Sequence, residues 1–156
     1  MGITLSLYPY LKKFLIMSIL QTQARLVAEY QALPDWESRY QKIIALGRSL
    51  PPLPEEFRTA ANQVRGCSST VWLHATSEGE RVVFHADSDA AIPKGLVALL
   101  VQVYSGQAAT AILAAPPEFI EELGLNQNLS SNRANGLTAM VKQLMAYALA
   151  LNSRKP

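Results

Sequence analysis

The chain has 156 residues, 49% of them apolar and 17% charged, and its 14 Lys and Arg against 12 Asp and Glu leave a net charge of +2. That length suits one domain with one core, able to bury roughly 68–70% of the surface its unfolded chain exposes. With no basic stripe, no aromatic-interleaved basic cluster and a single cysteine, the composition argues against a nucleic-acid partner and excludes an internal disulfide.

Residues 3–20 are apolar, but Lys12 and Lys13 interrupt them well short of the ~20 apolar residues a membrane span needs. They also lack the basic start and small-residue cleavage site of a signal peptide. No membrane partner is expected. Met17-Ser18 reads as an alternative translation start, so residues 1–20 read as an N-terminal extension of uncertain status and 21–156 as one domain. An interfacial helix is the alternative for the extension, with the two lysines as a weak polar face.

Residues 21–33 have helix-forming composition, with Leu26, Val27, Tyr30 and Leu33 on one face, and Pro34 ends them. Asp35 caps a second helix in which Trp36, Tyr40, Ile43, Ile44 and Gly47 form a buried stripe. Pro51, Pro52 and Pro54 turn the chain, and residues 55–61 are expected to form a short helix. Residues 71–76 and 81–87 read as strands around a tight turn at Glu78-Gly79. Val71, Leu73 and Ala75 then share the core face with Val82, Phe84 and Ala86. Trp72, His74, Arg81, Val83 and His85 share the other face, mixed enough to meet solvent or a helix. With no third ligand near them in sequence, the two histidines read as sheet-face residues rather than a metal site.

Ser88 or Asp89 starts a helix through Tyr104, almost wholly apolar over residues 96–103 and therefore central; Gly106 ends it. Residues 107–114 are expected to form a short helix, and Pro116-Pro117-Glu118 opens another that stops at Gly124. Ser130 caps the last helix, whose core stripe is Leu137, Met140, Val141, Leu144, Ala148 and Leu151. Helices, a hairpin and more helices describe an α+β fold: a small antiparallel β-sheet packed against several α-helices.

Chemistry concentrates at Cys67, between Gly66 and Ser68, at the mouth of the hairpin. Free cysteines are usually small buried hydrophobes. Apolar neighbours of Cys67 begin only at Val71, which favours a free nucleophile or sulfur carrier. A free thiol is only a few per cent thiolate at neutral pH, so something must assist it. Arg65 is two residues away, although a solvent-facing arginine would look the same. Arg133 falls in the first turn of the last helix, where the dipole disfavours a cation by roughly 0.3–1 kcal/mol. A cation there points to an anion nearby: Asp87, Asp89 or a sulfur anion at Cys67. The purely structural reading is an Arg133–Asp89 ion pair. Gly95 and Gly136, inside predicted helices at about 1 kcal/mol each relative to alanine, are expected to permit close approach of a neighbour or of the cysteine loop.

Three blocks carry a resemblance: Gly66-Cys67-Ser68-Ser69-Thr70-Val71-Trp72, Asp87-Ser88-Asp89-Ala90-Ala91-Ile92-Pro93-Lys94-Gly95-Leu96 and Leu129-Ser130-Ser131-Asn132-Arg133-Ala134-Asn135-Gly136-Leu137. They resemble the signature blocks of the SufE/CsdE family, in its order and at similar spacings, from about residue 36 to about residue 150. Pro93 departs from the pattern, because many members carry a non-proline residue there. The resemblance implies the α+β architecture also shared with iron-sulfur scaffold proteins of the IscU type. It implies a sulfur acceptor that stimulates its partner rather than a stand-alone enzyme, with Cys67 as persulfide carrier and Arg133 as a site residue. Arg65, Gly66, Ser68, Asp87 and Asp89 are the candidates for partner binding or support of the site. The implied partner is a cysteine desulfurase of the SufS/CsdA type, which holds the pyridoxal phosphate, so this chain binds no cofactor. Sulfur then passes to a downstream acceptor or an iron-sulfur scaffold, in the cytoplasm. Homodimerisation stays open.

Two other classes remain: an iron-sulfur scaffold-like protein, although clusters are usually held by several thiolates, and an interaction module with a structural cysteine. A thiol hydrolase would need a base on Cys67, and His74 and His85 have no evident reach to it. A carrier gains from shielding its persulfide, so the thiol is expected to point inward, toward a shallow apolar pocket, and to swing out to its partner.

Overall fold

The computed structural model describes residues 17–154, and the expectations for residues 1–16 lie outside the described residues. Helix α1 (Ile19–Gln31) starts two residues earlier than its composition indicates because Ser18 and Gln21 form a capping box. The Ser18 hydroxyl accepts from the Gln21 N–H at 3.1 Å, and the Gln21 side chain accepts from the Ser18 N–H at 3.0 Å. Asp35 caps α2 (Trp36–Arg48), accepting from the Ser38 N–H at 2.8 Å. Ile43 and Gly47 are buried on α2, with Trp36 and Tyr40 half-buried beside them; Leu46, not Ile44, completes the stripe.

Residues 55–61 do not make the expected helix. They fold as two single 3₁₀ turns, Glu55–Phe57 and Ala60–Asn62, each closed by i to i+3 bonds of 2.9–3.2 Å. So short a segment cannot nucleate an α-helix without a packed face to hold it.

Strands β1 (Val71–Glu78) and β2 (Arg81–Ser88) pair antiparallel with Glu78 opposite Arg81, so the two-residue turn is Gly79-Glu80, one position later than expected. Gly79 supplies its positive φ of 62°. All six expected core residues of this hairpin are buried. The opposite face is half-buried and is covered by the 3₁₀ segment: Phe57 stacks on His74 with ring centroids 4.1 Å apart, and Arg58 lies 5.0 Å over the Trp72 ring.

Helix α3 (Ala91–Tyr104) is the centre of the core, with Leu96, Val97, Leu99, Leu100, Val103 and Tyr104 buried. It crosses α2 backbone to backbone: a Cβ on Gly95 would lie 2.3 Å from the Ile43 carbonyl oxygen, and one on Gly47 would lie 2.7 Å from the Gly95 nitrogen. Neither Ser88 nor Asp89 caps α3, because both are bonded to Thr70, and Ala90 takes the cap position with no side-chain bond. Pro93 falls in the first turn, where its missing N–H breaks no helical bond.

After α3, Gly106 at φ 83° turns the chain and donates to the Val82 carbonyl at 2.7 Å. Gln107–Ala108 therefore pair with Arg81 and Val82 as a third strand, β3, in the order β1-β2-β3. The expected helix over 107–114 is reduced to α4 (Ala109–Ala114). The helix after Pro117 is the short α5 (Phe119–Glu122), and Gly124 in the left-handed region leads into α6 (Leu125–Asn128), which the sequence does not announce. Ser130 caps the long α7 (Ser131–Ser153), accepting from the Arg133 N–H at 3.3 Å. Leu137, Met140, Leu144 and Ala148 of α7 reach the core. No helix among the described residues is long and apolar enough to cross a membrane.

Candidate functional site

Cys67 rides on a short arc whose two ends are fastened. On the entering side, the Val64 N–H donates to the Val71 carbonyl at 2.8 Å and Gln63 bridges to Trp72. On the leaving side, the Thr70 carbonyl accepts from the Ser88 hydroxyl at 2.7 Å and the Asp89 N–H at 3.2 Å, while the Thr70 N–H donates to Asp89 Oδ1 at 3.1 Å. Between these anchors, residues 65–69 make no well-formed backbone–backbone hydrogen bond among the described residues, only the turn at Arg65-Gly66. The arc turns at Gly66, whose φ of 100° is accessible essentially to glycine alone. A Cβ there would stand 3.3 Å from that of Ala139 on α7.

The thiol points inward. Cys67 is half-buried against the core, and its Sγ donates to the Gly136 carbonyl at 3.6 Å. Gly136 fulfils the expected close approach, since a Cβ at that position would lie 3.2 Å from Sγ. Burial pushes the Cys67 thiol above the ordinary cysteine range, and a bond from S–H to a carbonyl favours the same protonated form. At neutral pH the sulfur therefore rests as the protonated thiol.

It stands at the edge of a cleft of about 490 Å³. One wall is the start of α3, with Ile92, Pro93 and Leu96; the other is the start of α7, with Ser130, Asn132, Arg133 and Met140; Ser68 and Ser69 close the rim. Two helix N-termini open on this space, each carrying roughly half a positive charge. The cleft therefore favours an anion even though the seat beneath Gly136 favours a neutral thiol.

The structure gathers Cys67, Ser68 and Arg133 at the cleft, and Gly66 shapes the arc beside them. Arg133 is exposed and makes no ion pair among the described residues. The Arg133–Asp89 ion pair of the purely structural reading does not form; Asp89 accepts from the Thr70 N–H instead. Asp87 stands off the cleft, where it accepts from Arg58 at 2.6 Å and meets Lys94 at 3.2 Å. Burial opposes its charge, but hydrogen bonds from Arg58, the Ser88 N–H and Lys94 together hold its carboxyl below the usual carboxylate range. Asp89 braces the leaving end of the loop through Thr70, whereas Asp87 ties the 3₁₀ segment to α3 through Arg58 and Lys94. Arg65 is exposed on the arc and does not line the cleft. Sequence reasoning does not single out Arg58, gives Ile92 and Lys94 no role of their own, and places Met140 in the core stripe rather than on the cleft wall. Only the weak cap of α3, an alanine, could have pointed to the open helix end.

His74 and His85 lie directly opposite each other on β1 and β2. His74 Nδ1 bonds with Asn62 and His85 Nε2 with Thr76, which places both in the sheet-face network. Among the described residues, no three His, Cys, Asp or Glu side chains form a metal-holding group.

The SufE family model, described as the Fe-S metabolism associated domain, matches residues 24–148. The chain belongs to the SufE family. An uncharacterized SufE-like protein of Rhizobium etli is 45% identical over 129 residues, covering 80% of this chain and 87% of that relative. The sulfur acceptor protein CsdE of Escherichia coli is 35% identical over 119 residues, covering 75% of this SufE-family chain and 81% of CsdE. The solution structure of a hypothetical protein from Thermus thermophilus superposes with a TM-score of 0.72 at 25% identity, covering 85% of this chain and 96% of that one. The fold of this SufE-family member is therefore α+β, as its pattern of elements indicates.

Proposed function

We propose that this chain is a sulfur acceptor that takes sulfane sulfur onto Cys67 from a cysteine desulfurase. The partner, of the SufS/CsdA type, carries a persulfide on its own cysteine. The Cys67 thiolate attacks the outer sulfur, the S–S bond of the donor breaks, and the donor leaves as a thiolate. Cys67 then holds a persulfide, with no net oxidation and no cofactor on this chain. Drawing sulfur off the partner in this way stimulates its turnover. Passing it to another thiol or to an iron-sulfur scaffold restores Cys67, in a reducing compartment such as the cytoplasm.

The observation that carries this reading is the placement of the chain's one cysteine. It rides on an arc that, among the described residues, is fastened mainly at its two ends, beside a cleft lined by the first residues of two helices. Seated inward, the half-buried thiol is partly shielded from small oxidants and thiols; swung out, it reaches a partner's persulfide. Arg133, one turn before Gly136 on the same helix wall, stabilises the sulfur anion when it forms. Membership of the SufE family and similarity to a protein named as a sulfur acceptor support the assignment.

The test is turnover of a cysteine desulfurase captured with the tagged chain. Turnover should rise when the chain is added and should not rise with Cys67→Ser. Equal stimulation by the serine variant would make the chain an interaction module with an incidental cysteine.

A further inference from the structure

One side chain of α7 bonds to both stems of the cysteine loop. Gln143 Nε2 donates to the Asn62 carbonyl at 3.1 Å and to the Leu73 carbonyl at 3.0 Å. These carbonyls belong to the chain entering the loop and to β1 leaving it. A primary amide has two N–H donors, and this one gives both to the two stems of one loop. Asn62 is itself buried and fixed. Its Nδ2 donates to the Phe57 carbonyl at 2.9 Å, and its Oδ1 accepts from the Tyr147 hydroxyl and bonds with His74 Nδ1 at 3.0 Å.

Gly136, Ala139, Gln143 and Tyr147 recur at spacings of 3, 4 and 4 along α7, which makes one stripe. Gly136 seats Sγ, Ala139 meets Gly66, and Gln143 and Tyr147 take the stem. The arc over residues 65–69 makes no well-formed backbone–backbone bond of its own among the described residues, so where it rests depends on where its ends are held.

We propose that Gln143 is a positioning residue for Cys67: by tying both stems of the loop to α7 it keeps the thiol seated beneath the Gly136 carbonyl. The proposal rests on the reading of Cys67 as the working thiol. Without the two donors, the Asn62 and Leu73 carbonyls lose their shared partner and the base of the loop drifts from α7. Sγ then leaves its seat and meets water, and its titration moves down toward the ordinary cysteine value of about 8.5.

The test is the rate of Cys67 alkylation by iodoacetamide across pH in the free chain, well below its melting temperature. Gln143→Glu keeps the shape but removes both donors; Gln143→Met removes them without adding charge and carries the test if the glutamate variant does not fold. In each folded variant the neutral-pH rate should rise by a factor of about three or more and the midpoint of the pH profile should fall, as expected for a thiol leaving an apolar seat. A rate and midpoint equal to wild type, with only the melting temperature lowered, would overturn the proposal and make Gln143 a fold residue alone. Alkylation needs no desulfurase, so this result is independent of sulfur acceptance. Failure of the functional reading would show instead as a wild-type chain that gains no sulfur.

Discussion

The Sγ of Cys67 donates to the carbonyl of Gly136 at 3.6 Å, and the missing side chain of Gly136 is what leaves room for it. A Cβ at 136 would stand 3.2 Å from the sulfur, closer than most such contacts, and the part that can yield is the arc, held mainly at its ends, rather than α7. Gly136→Ala is therefore expected to displace the thiol toward solvent. Alkylation of Cys67 should accelerate while stability holds or rises by up to about 1 kcal/mol, the helix-propensity gain of alanine over glycine. A variant that loses stability and keeps a slow thiol would show that the arc cannot move.

Arg133→Ala should slow sulfur transfer to Cys67 and leave the melting transition nearly in place. Exposed substitutions away from packed features change stability by less than about 0.5 kcal/mol, and Arg133 makes no ion pair among the described residues. Single-turnover transfer from a loaded desulfurase measures this. A normal transfer rate would remove Arg133 from the site.

Gly95→Ala tests the helix crossing that sets the start of α3 against the cleft. Its Cβ would meet the Ile43 carbonyl oxygen at 2.3 Å and the carbonyl carbon at 2.7 Å, both backbone atoms of α2. Overpacking of this kind costs about 1–3 kcal/mol or more, against about 1 kcal/mol of helix propensity gained. Urea denaturation should show a net loss; unchanged stability would mean that α2 slides freely over α3.

The hairpin is legible in the sequence because alternate residues of β1 and β2 are apolar, and Asp35 and Ser130 announce α2 and α7 through their side-chain caps. The short elements are not legible, because tertiary contacts decide them. β3 exists only because Gly106 bonds back to Val82, and the start of α3 is set by Ser88 and Asp89 turning to Thr70. Within the site, Cys67 stands out by being alone. Gln143 gives no such sign: a glutamine on an amphipathic helix looks the same whether it faces water or two carbonyls lying 70 and 81 residues away in the chain.

His74 supplies a pH dependence. Burial first, and then the charge of His85, lower its pKa against an opposing pull from Glu56. As pH falls below the ordinary histidine value of about 6.5, the unfolded chain takes up this proton before the folded chain does. The stability owed to neutral His74 is thus complete above that pH and is lost as pH drops through the lower folded value. Urea midpoints should fall between about pH 7.5 and about pH 5.5, and fall less in His74→Gln. Equal losses in both proteins would assign the effect to other groups.

The central claim is that Cys67 receives sulfur, and the mass of the intact chain reads this directly. After incubation with a cysteine desulfurase and free cysteine, without reductant, the wild-type chain should gain about 32 Da, one sulfur atom on the thiol, and Cys67→Ser should gain nothing. A wild-type chain that stays at its original mass beside an active desulfurase, or a gain that persists in the serine variant, would contradict the account.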